Sequence, residues 1–252
     1  ASVVGPAAGG VIIGELGIGW AYAFNAVSFL CVIVAVLSMR GIPGRTEGFA
    51  GHISLAAGIE GLRFVFKTPL IRSTMLLDFF ATFFASATAL LPIFAQDILQ
   101  IGARGYGLLS AAPSVGAILA SLVMVRVIDR IERRGQVLLW AITFYGMATV
   151  LFGFSKLFML SFLCLAITGA ADTVSMVIRN LVRQLTTPDY LRGRMTSVNM
   201  IFFQGGPQLG ELEAGLVASV WGPVVSVVSG GLGCLLATIV VAVRTPQFRQ
   251  YH

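Results

Sequence analysis

Four carboxylic acids lie inside long apolar stretches of this sequence: Asp78, Asp172, Glu211 and Glu213. On insertion scales, a charged side chain in the middle of a membrane costs about 3 kcal/mol. Each of these acids therefore predicts a partner or a function. A carboxylate inside the membrane can bind a proton from one side and release it to the other, or it can contact a cationic group.

Asp172 belongs to a polar stripe on one helical face. Thr168, Asp172, Ser175 and Arg179 follow one another at spacings of four, three and four residues, which places them on the same side of an α-helix. The stripe predicts a surface that faces a water-filled cavity rather than lipid. The alternative is a structural pair between Asp172 and an arginine or serine.

A second polar stripe runs along the stretch 196–218. Its members are Ser197, Gln204, Gln208, Glu211 and Gly215. Glu211 continues the stripe and is predicted to line the cavity. Glu213 lies about 200° around the helix from Glu211, so we expect it to pair between helices or to lie near the outer surface. In the stretch 71–95, Asp78 has Thr74 and Thr82 one turn away on either side.

The composition identifies the elements that must position these residues. Of 252 residues, 57% are apolar and only 11% are charged, whereas soluble domains have about 25% charged residues. This excludes a soluble enzyme, a disordered chain and a secreted disulfide scaffold. The net charge of +6 does not indicate a nucleic-acid partner, because the basic residues form short clusters between apolar runs.

Eight apolar segments are long enough, or nearly long enough, to be membrane helices. They are 1–14, 20–39, 71–95, 106–128, 137–155, 157–180, 196–218 and 223–243. The alternation typical of a membrane β-barrel is absent. The sequence therefore predicts an all-α, polytopic transmembrane helix bundle with the lipid bilayer as its surroundings.

The basic residues predict how the helices are oriented. All of the 17 lysines and arginines except Arg104 and Lys156 lie in four regions: 40–72, 126–134, 179–194 and 244–249. Basic loops stay on the cytoplasmic side. We therefore expect a multi-pass protein of the cell (inner or plasma) membrane with a cytoplasmic C-terminus.

The connection 40–70 is predicted to be a cytoplasmic linker. Its second half has Leu55, Ile59, Leu62 and Phe66 at helical spacing. This pattern fits an amphipathic helix that lies along the membrane face, or equally a helix packed on the bundle.

An internal repeat relates the two ends of the chain. Gly5, Pro6, Gly9, Gly14 and Trp20 recur, each 201 residues later, as Gly206, Pro207, Gly210, Gly215 and Trp221. Both copies begin near the same side of the membrane. Parallel repeats of this kind are found in one large transporter architecture.

Three motifs give the chain a family resemblance. Gly5-Pro6-Ala7-Ala8-Gly9-Gly10 resembles a fifth-helix motif of drug/proton antiporters of the major facilitator superfamily. The run 126–134, with Asp129, Arg130, Arg133 and Arg134, is similar to the basic loop after their eighth helix, although Val125 and Glu132 stand where glycines are usual. Pro188-Asp189 followed by Arg192-Gly193-Arg194 resembles the loop before helix eleven. Within the superfamily, the stretches 208–215 and 171–172 are most similar to the transmembrane secretion effectors.

The resemblance implies the C-terminal part of a transporter, helices five to twelve. Residues 1–39 would be the last two helices of the first half, 40–70 the linker and 71–252 the six-helix second half. The first-half helices that would precede Ala1 are then expected partners. Without them, we expect the chain to be unable to transport, with apolar faces of 71–243 exposed.

The implied function is secondary active transport. We expect proton-coupled efflux of a small siderophore- or drug-like organic molecule by alternating access, with at least one of the four buried acids coupling proton entry to export. Arg179, Gln204 and Gln208 are further cavity candidates. The alternative is a membrane-embedded sensor, or pseudo-transporter, that binds a ligand without moving it.

An enzyme, a metal site and a cofactor are not predicted. The two histidines, His52 and His252, lie outside the apolar segments, and Cys31, Cys164 and Cys234 are far apart in sequence. No Gly-x-x-x-x-Gly-Lys-Ser/Thr phosphate loop is present. ATP-driven transport is therefore not indicated.

Gating is assigned to the motif residues: Gly5, Pro6, Gly9, Gly10, Asp129, Arg130, Arg133, Arg134, Arg192, Gly193 and Arg194. The small residues allow helices to approach closely, and Pro6 permits a bend. Asp129 is expected to meet a helix N-terminus or an arginine on the cytoplasmic side and so to hold one conformation. Plain helix packing, and arginines that serve only to set topology, are the alternatives.

Overall fold

A computed structural model describes residues 12, 13, 15, 17–38, 62–84, 87–131, 133–188 and 191–244. Seven long helices lie in these ranges: α1 (Ile18–Ser38), α2 (Pro69–Phe84), α3 (Gly102–Val127), α4 (Arg134–Phe154), α5 (Phe158–Thr186), α6 (Arg192–Trp221) and α7 (Pro223–Arg244). No strand occurs in the described ranges. The predicted all-α bundle is confirmed.

Within the described ranges, six helical stretches are long and apolar enough to cross a membrane, and α6 is not among them. At 1.5 Å per residue, its 30 residues extend about 45 Å, which exceeds the hydrocarbon core of about 30 Å. The helix is more polar than the others because it contains two arginines, two glutamines and two glutamates. It contains the predicted span 196–218 and extends beyond it at both ends, and its composition makes it the least apolar of the long helices.

Two predicted segments differ most from the observed helices. The segment 157–180 continues to Thr186, which adds a polar last turn and a half. The segment 71–95 is interrupted: α2 ends at Phe84, and the chain continues through a 3₁₀ turn (Ala87–Leu90), one α-turn (Leu91–Ile93) and a π-turn (Phe94–Ile98). Pro92 contributes to this irregularity because it has no N–H to donate.

Close glycine contacts hold two helix pairs together. A β-carbon on Gly116 of α3 would collide with the carbonyl group of Ala166 on α5, and one on Gly169 would collide with that of Pro113. Gly146 of α4 and Gly231 of α7 also approach each other, but less closely: a β-carbon on either would lie 3.0–3.2 Å from the carbonyl oxygen of the other. In lipid, where apolar burial gives little drive, such backbone contacts are the main source of association.

The predicted common side of two basic connections is confirmed. Ile128 and Ile131, in the connection after α3, pack in one buried cluster with Ile178 and Val182 near the end of α5. Phe152, at the end of α4, belongs to a different cluster. The connections 126–134 and 179–194 therefore lie at one end of the bundle, which we call the basic end.

The helical turn 62–67 packs on the bundle. Val65 is 1% exposed and contacts a cluster with Ile71 and Met195. Leu62 and Phe66, which the sequence placed on the apolar face, are both exposed. Burial of Val65 supports the packed alternative, and exposure of Leu62 and Phe66 leaves their apolar face open to a membrane surface, so both alternatives stay predictions; 40–61 lie outside the described residues.

Helix α1 has no buried residue. Its apolar side chains, including Trp20 and Phe29, are exposed all round. The helix therefore offers its whole surface to lipid or to other helices. The segment 1–14 lies outside the described residues except for positions 12 and 13.

A stability measurement tests whether α2 and α6 are in close contact at Gly206, one of the glycines of the repeat. A β-carbon on Gly206 would lie 2.5 Å from Thr82 Oγ1, whereas one on Gly205 would meet nothing within 4 Å. We expect Gly206→Val to lower the free energy of unfolding by about 1–3 kcal/mol through overpacking, and Gly205→Val to have little effect. The check is thermal melting in detergent; equal melting temperatures for the two variants would show that α2 and α6 are not in close contact.

Candidate functional site

A buried ion pair joins α2 to α5. Arg179 Nη1 donates a hydrogen bond to Asp78 Oδ1. The two side chains are 11% and 8% exposed. Both residues are among the candidates predicted from the sequence, but their pairing is not.

Asp172 is the open member of the same network. Its Oδ1 atom lies 4.0 Å from Arg179 Nη2, and its side chain is 49% exposed. One guanidinium therefore lies between two carboxylates, one enclosed by protein and one accessible. Asp172 is exposed and lies beside an arginine, as the pairing alternative expects, whereas Thr168 and Ser175 of the same stripe are buried. That the stripe lines a water-filled cavity stays a prediction.

Two small cavities flank the ion pair. One, of about 10 Å³, is lined in part by Asp172, Ser175 and Tyr145; the other, also about 10 Å³, reaches Arg183 and Asn199. Each has room for about one water molecule. Ser175 Oγ is buried with no hydrogen-bond partner in the described part of the chain, so a water in the first cavity would have a polar group to bind.

The local sequence explains why these groups meet. On α2, Thr74 Oγ1 donates to the Ile71 carbonyl and Thr82 Oγ1 to the Asp78 carbonyl, each at 2.8 Å. The hydroxyl groups of both threonines thus donate to carbonyl groups of their own helix, and the carboxylate of Asp78 forms the ion pair with α5. On α5, Ile178 and Val182 are buried beside Arg179, which fixes the side of the helix that carries the guanidinium.

Most of the polar stripe of α6 is exposed, as are apolar residues such as Leu209 and Leu212 of the same helix. Gln204, Gln208 and Glu211 are all exposed, and Glu213 is half-buried. Neither glutamate has an ion pair within the described ranges. The lining role of Glu211 and the pairing of Glu213 stay predictions.

The motif residues are only partly described. Gly5, Pro6, Gly9 and Gly10 lie outside the described residues. Asp129 and Arg130 are exposed in the turn Ile128–Arg130, and Arg133 is exposed next to it. Arg134 has a buried Nε without a hydrogen-bond partner among the described groups. Arg192 and Arg194 are in the first turn of α6, beside Gly193, and the side chains of both arginines lie outside the described part.

Sequence reasoning missed two pairings. The first is Asp78 with Arg179; the second is Glu15 with Arg104, 3.5 Å apart and largely exposed. The similar distances of Asp78 and Arg179 from the basic end could have indicated the first pairing. At 1.5 Å per residue, Asp78 is about 14 Å from the beginning of α2 and Arg179 about 11 Å from the end of α5, and both of those ends lie at the basic end.

An all-α bundle in which six described stretches are long and apolar enough to cross a membrane supports a multi-pass membrane protein. The family itself follows from sequence comparison. The chain belongs to the transmembrane secretion effector family, whose sequence model matches residues 1–251. It is 27% identical over 251 residues to the enterobactin exporter EntS of Escherichia coli O1:K1 / APEC and to that of Escherichia coli O127:H6 (strain E2348/69 / EPEC). The match covers 100% of this chain and 59% of each relative.

Proposed function

We propose that the protein exports a small organic molecule across the cell membrane and that proton entry drives the export. Family membership supports transport, and the relatives named as enterobactin exporters support an outward direction. The names of the same relatives also support a siderophore- or drug-like cargo. The observation that carries the coupling proposal is the position of Arg179 between Asp78 and Asp172.

In this mechanism, Arg179 responds to the charge of Asp172. When Asp172 is ionised, the guanidinium is shared between two carboxylates. When Asp172 takes up a proton from the outer side, Arg179 is left to Asp78 alone, and the open surface loses one negative charge. Release of that proton to the cytoplasm restores the first arrangement and completes one inward proton movement.

Alternating access would use two bundles. Residues 1–39 would complete the first bundle, 40–70 would link it to the second, and 71–252 would form the second, with the basic end and the C-terminus in the cytoplasm. Asp129 and the motif arginines would then close the cytoplasmic side. The Glu15–Arg104 pair supports an outer contact between the two parts, because it joins segment 1–39 to the beginning of α3.

Transport in vesicles tests the coupling. With the protein expressed from its natural gene, we expect Asp172→Asn to reduce proton-driven export of enterobactin to the rate of protein-free vesicles, because the amide cannot carry a proton. Asp172→Glu should retain part of the activity. Asp97→Asn is the matched control, since Asp97 is an exposed acid outside the network.

Three results would contradict the proposal. Full proton-driven export by Asp172→Asn would remove Asp172 from the coupling. Binding of enterobactin without flux by the unaltered protein would favour a sensor. Lack of both binding and flux with enterobactin, and with ethidium as a second probe, would argue against this class of cargo.

A further inference from the structure

We propose that the groove between α2 and α7 binds an anionic phospholipid, with its acyl chains along the groove and its phosphate at the basic end. The groove has a volume of about 740 Å³ and is lined by side chains of α2, α7 and the turn 62–67. This volume falls in the range of roughly 300–1,000 Å³ found for sites that bind small molecules. The site is separate from the charged network of Asp78, Asp172 and Arg179, none of which lines it.

The walls of the groove are apolar and open to the surroundings of the bundle. Phe80 of α2, with Leu236 and Val240 of α7, lines it, and all three side chains are exposed. Both helices belong to membrane-crossing stretches. At this depth the surrounding medium is hydrocarbon, so a groove with these walls suits an acyl chain.

Two arginines supply the charge at one end. Arg72 is in the first turn of α2 and Arg244 is the last residue of α7; both line the groove and both are exposed. None of the groove-lining residues is acidic. The guanidinium group matches the geometry of a phosphate, and basic pockets between helices at the cytoplasmic side suit anionic lipid headgroups.

Charge and position together indicate a lipid rather than another helix. An apolar helix of the same protein would fill the walls but would leave both arginines without an anion. A soluble phosphate would pair with the arginines but would leave the apolar walls empty. A phospholipid with a net negative charge satisfies both halves of the groove.

The groove also connects to the segment that joins the two parts of the chain. Phe66 lines it, and the adjacent Val65 is buried against the cluster of Ile71 and Met195. A lipid in the groove would therefore contact the turn 62–67 through Phe66, on a different side from the buried Val65. The bound lipid would hold this turn, and with it the end of the connection 40–70, against the second bundle.

Native mass spectrometry of the protein expressed from its natural gene tests the headgroup. We expect phosphatidylglycerol to be retained in preference to phosphatidylcholine. An arginine near the surface contributes about a fivefold gain in affinity for an anionic lipid. The double variant Arg72→Gln/Arg244→Gln should therefore lose phosphatidylglycerol by a factor on the order of 25. The control Arg126→Gln/Arg130→Gln removes two exposed charges at the same end but outside the groove, and it should retain the lipid.

A second variant tests the acyl-chain half. Ala237 lines the groove, so Ala237→Trp fills it and leaves both arginines in place; phosphatidylglycerol binding should fall. Leu236→Trp, at an exposed position, is used if the first variant does not fold. Equal binding of the two lipids, or unchanged phosphatidylglycerol binding in the arginine double variant, would overturn the proposal. Loss of binding in the arginine variant with full binding in both tryptophan variants would also overturn it, because the lipid would then adsorb by its headgroup alone.

Discussion

Asp78→Ala is expected to lower the free energy of unfolding by about 3–5 kcal/mol, the usual cost of leaving one member of a buried ion pair alone. Arg179 would keep its charge in a site where its side chain is 11% exposed. Asp172, 4.0 Å from the guanidinium, would offset part of the loss. The measurement is reversible unfolding in mixed micelles, with transport assayed on the same preparation.

Two further variants separate stability from function. Asp78→Leu/Arg179→Met removes both charges together, and such exchanges are often neutral or stabilising. We expect this double variant to have about the stability of the unaltered protein but no transport, because the charged network is lost. Asp97→Ala changes an exposed acid and should leave both unchanged. An Asp78→Ala protein with the stability of the unaltered one would show that the buried pair does not form.

Gly169→Leu is expected to prevent α3 and α5 from packing. Even a β-carbon at this position would collide with the carbonyl group of Pro113, and backbone cannot move aside as a flexible side chain can. Overpacking costs typically about 1–3 kcal/mol, and we expect a loss above that range here. The readout is the yield of folded protein in detergent and its melting temperature.

Gly215→Leu is the control for this substitution. Gly215 is also inside a long helix, but a β-carbon there would meet nothing within 4 Å. The control should fold with nearly normal yield. Equal yields of the two leucine variants would mean that α3 and α5 do not cross at Gly116 and Gly169.

The helices and their common basic end could be predicted because the membrane constrains sequence strongly. A span must be apolar for about 20 residues, and arginines stay on one side. The connections around Arg130 and Arg183 accordingly lie at the same end of the bundle, as the spacing of basic residues indicated. Helix α6 is less apolar than a typical span, but a helix was still predicted in this part of the chain, at 196–218.

The site was predictable only within single helices. The face shared by Asp172, Ser175 and Arg179 follows from helical periodicity, and the structure shows it. The partnership of Asp78 with Arg179 joins residues 101 positions apart, and no periodicity links two helices at that separation. Burial of Val65 could not be predicted for a related reason, because it depends on contacts with Ile71 and Met195 that the apolar spacing of its own short segment does not encode.

The interruption beyond Phe84 has a mechanical consequence. The regular helix that carries Asp78 ends at Phe84, and the following stretch 87–98 passes through three different helical forms. Irregular turns of this kind are places where helices bend. The half of this span that carries Asp78 is held to Arg179, whereas Leu90, Leu91 and Phe94, beyond the interruption, are buried in a separate core cluster. Movement on one side of the membrane then need not break the ion pair that holds the other side together.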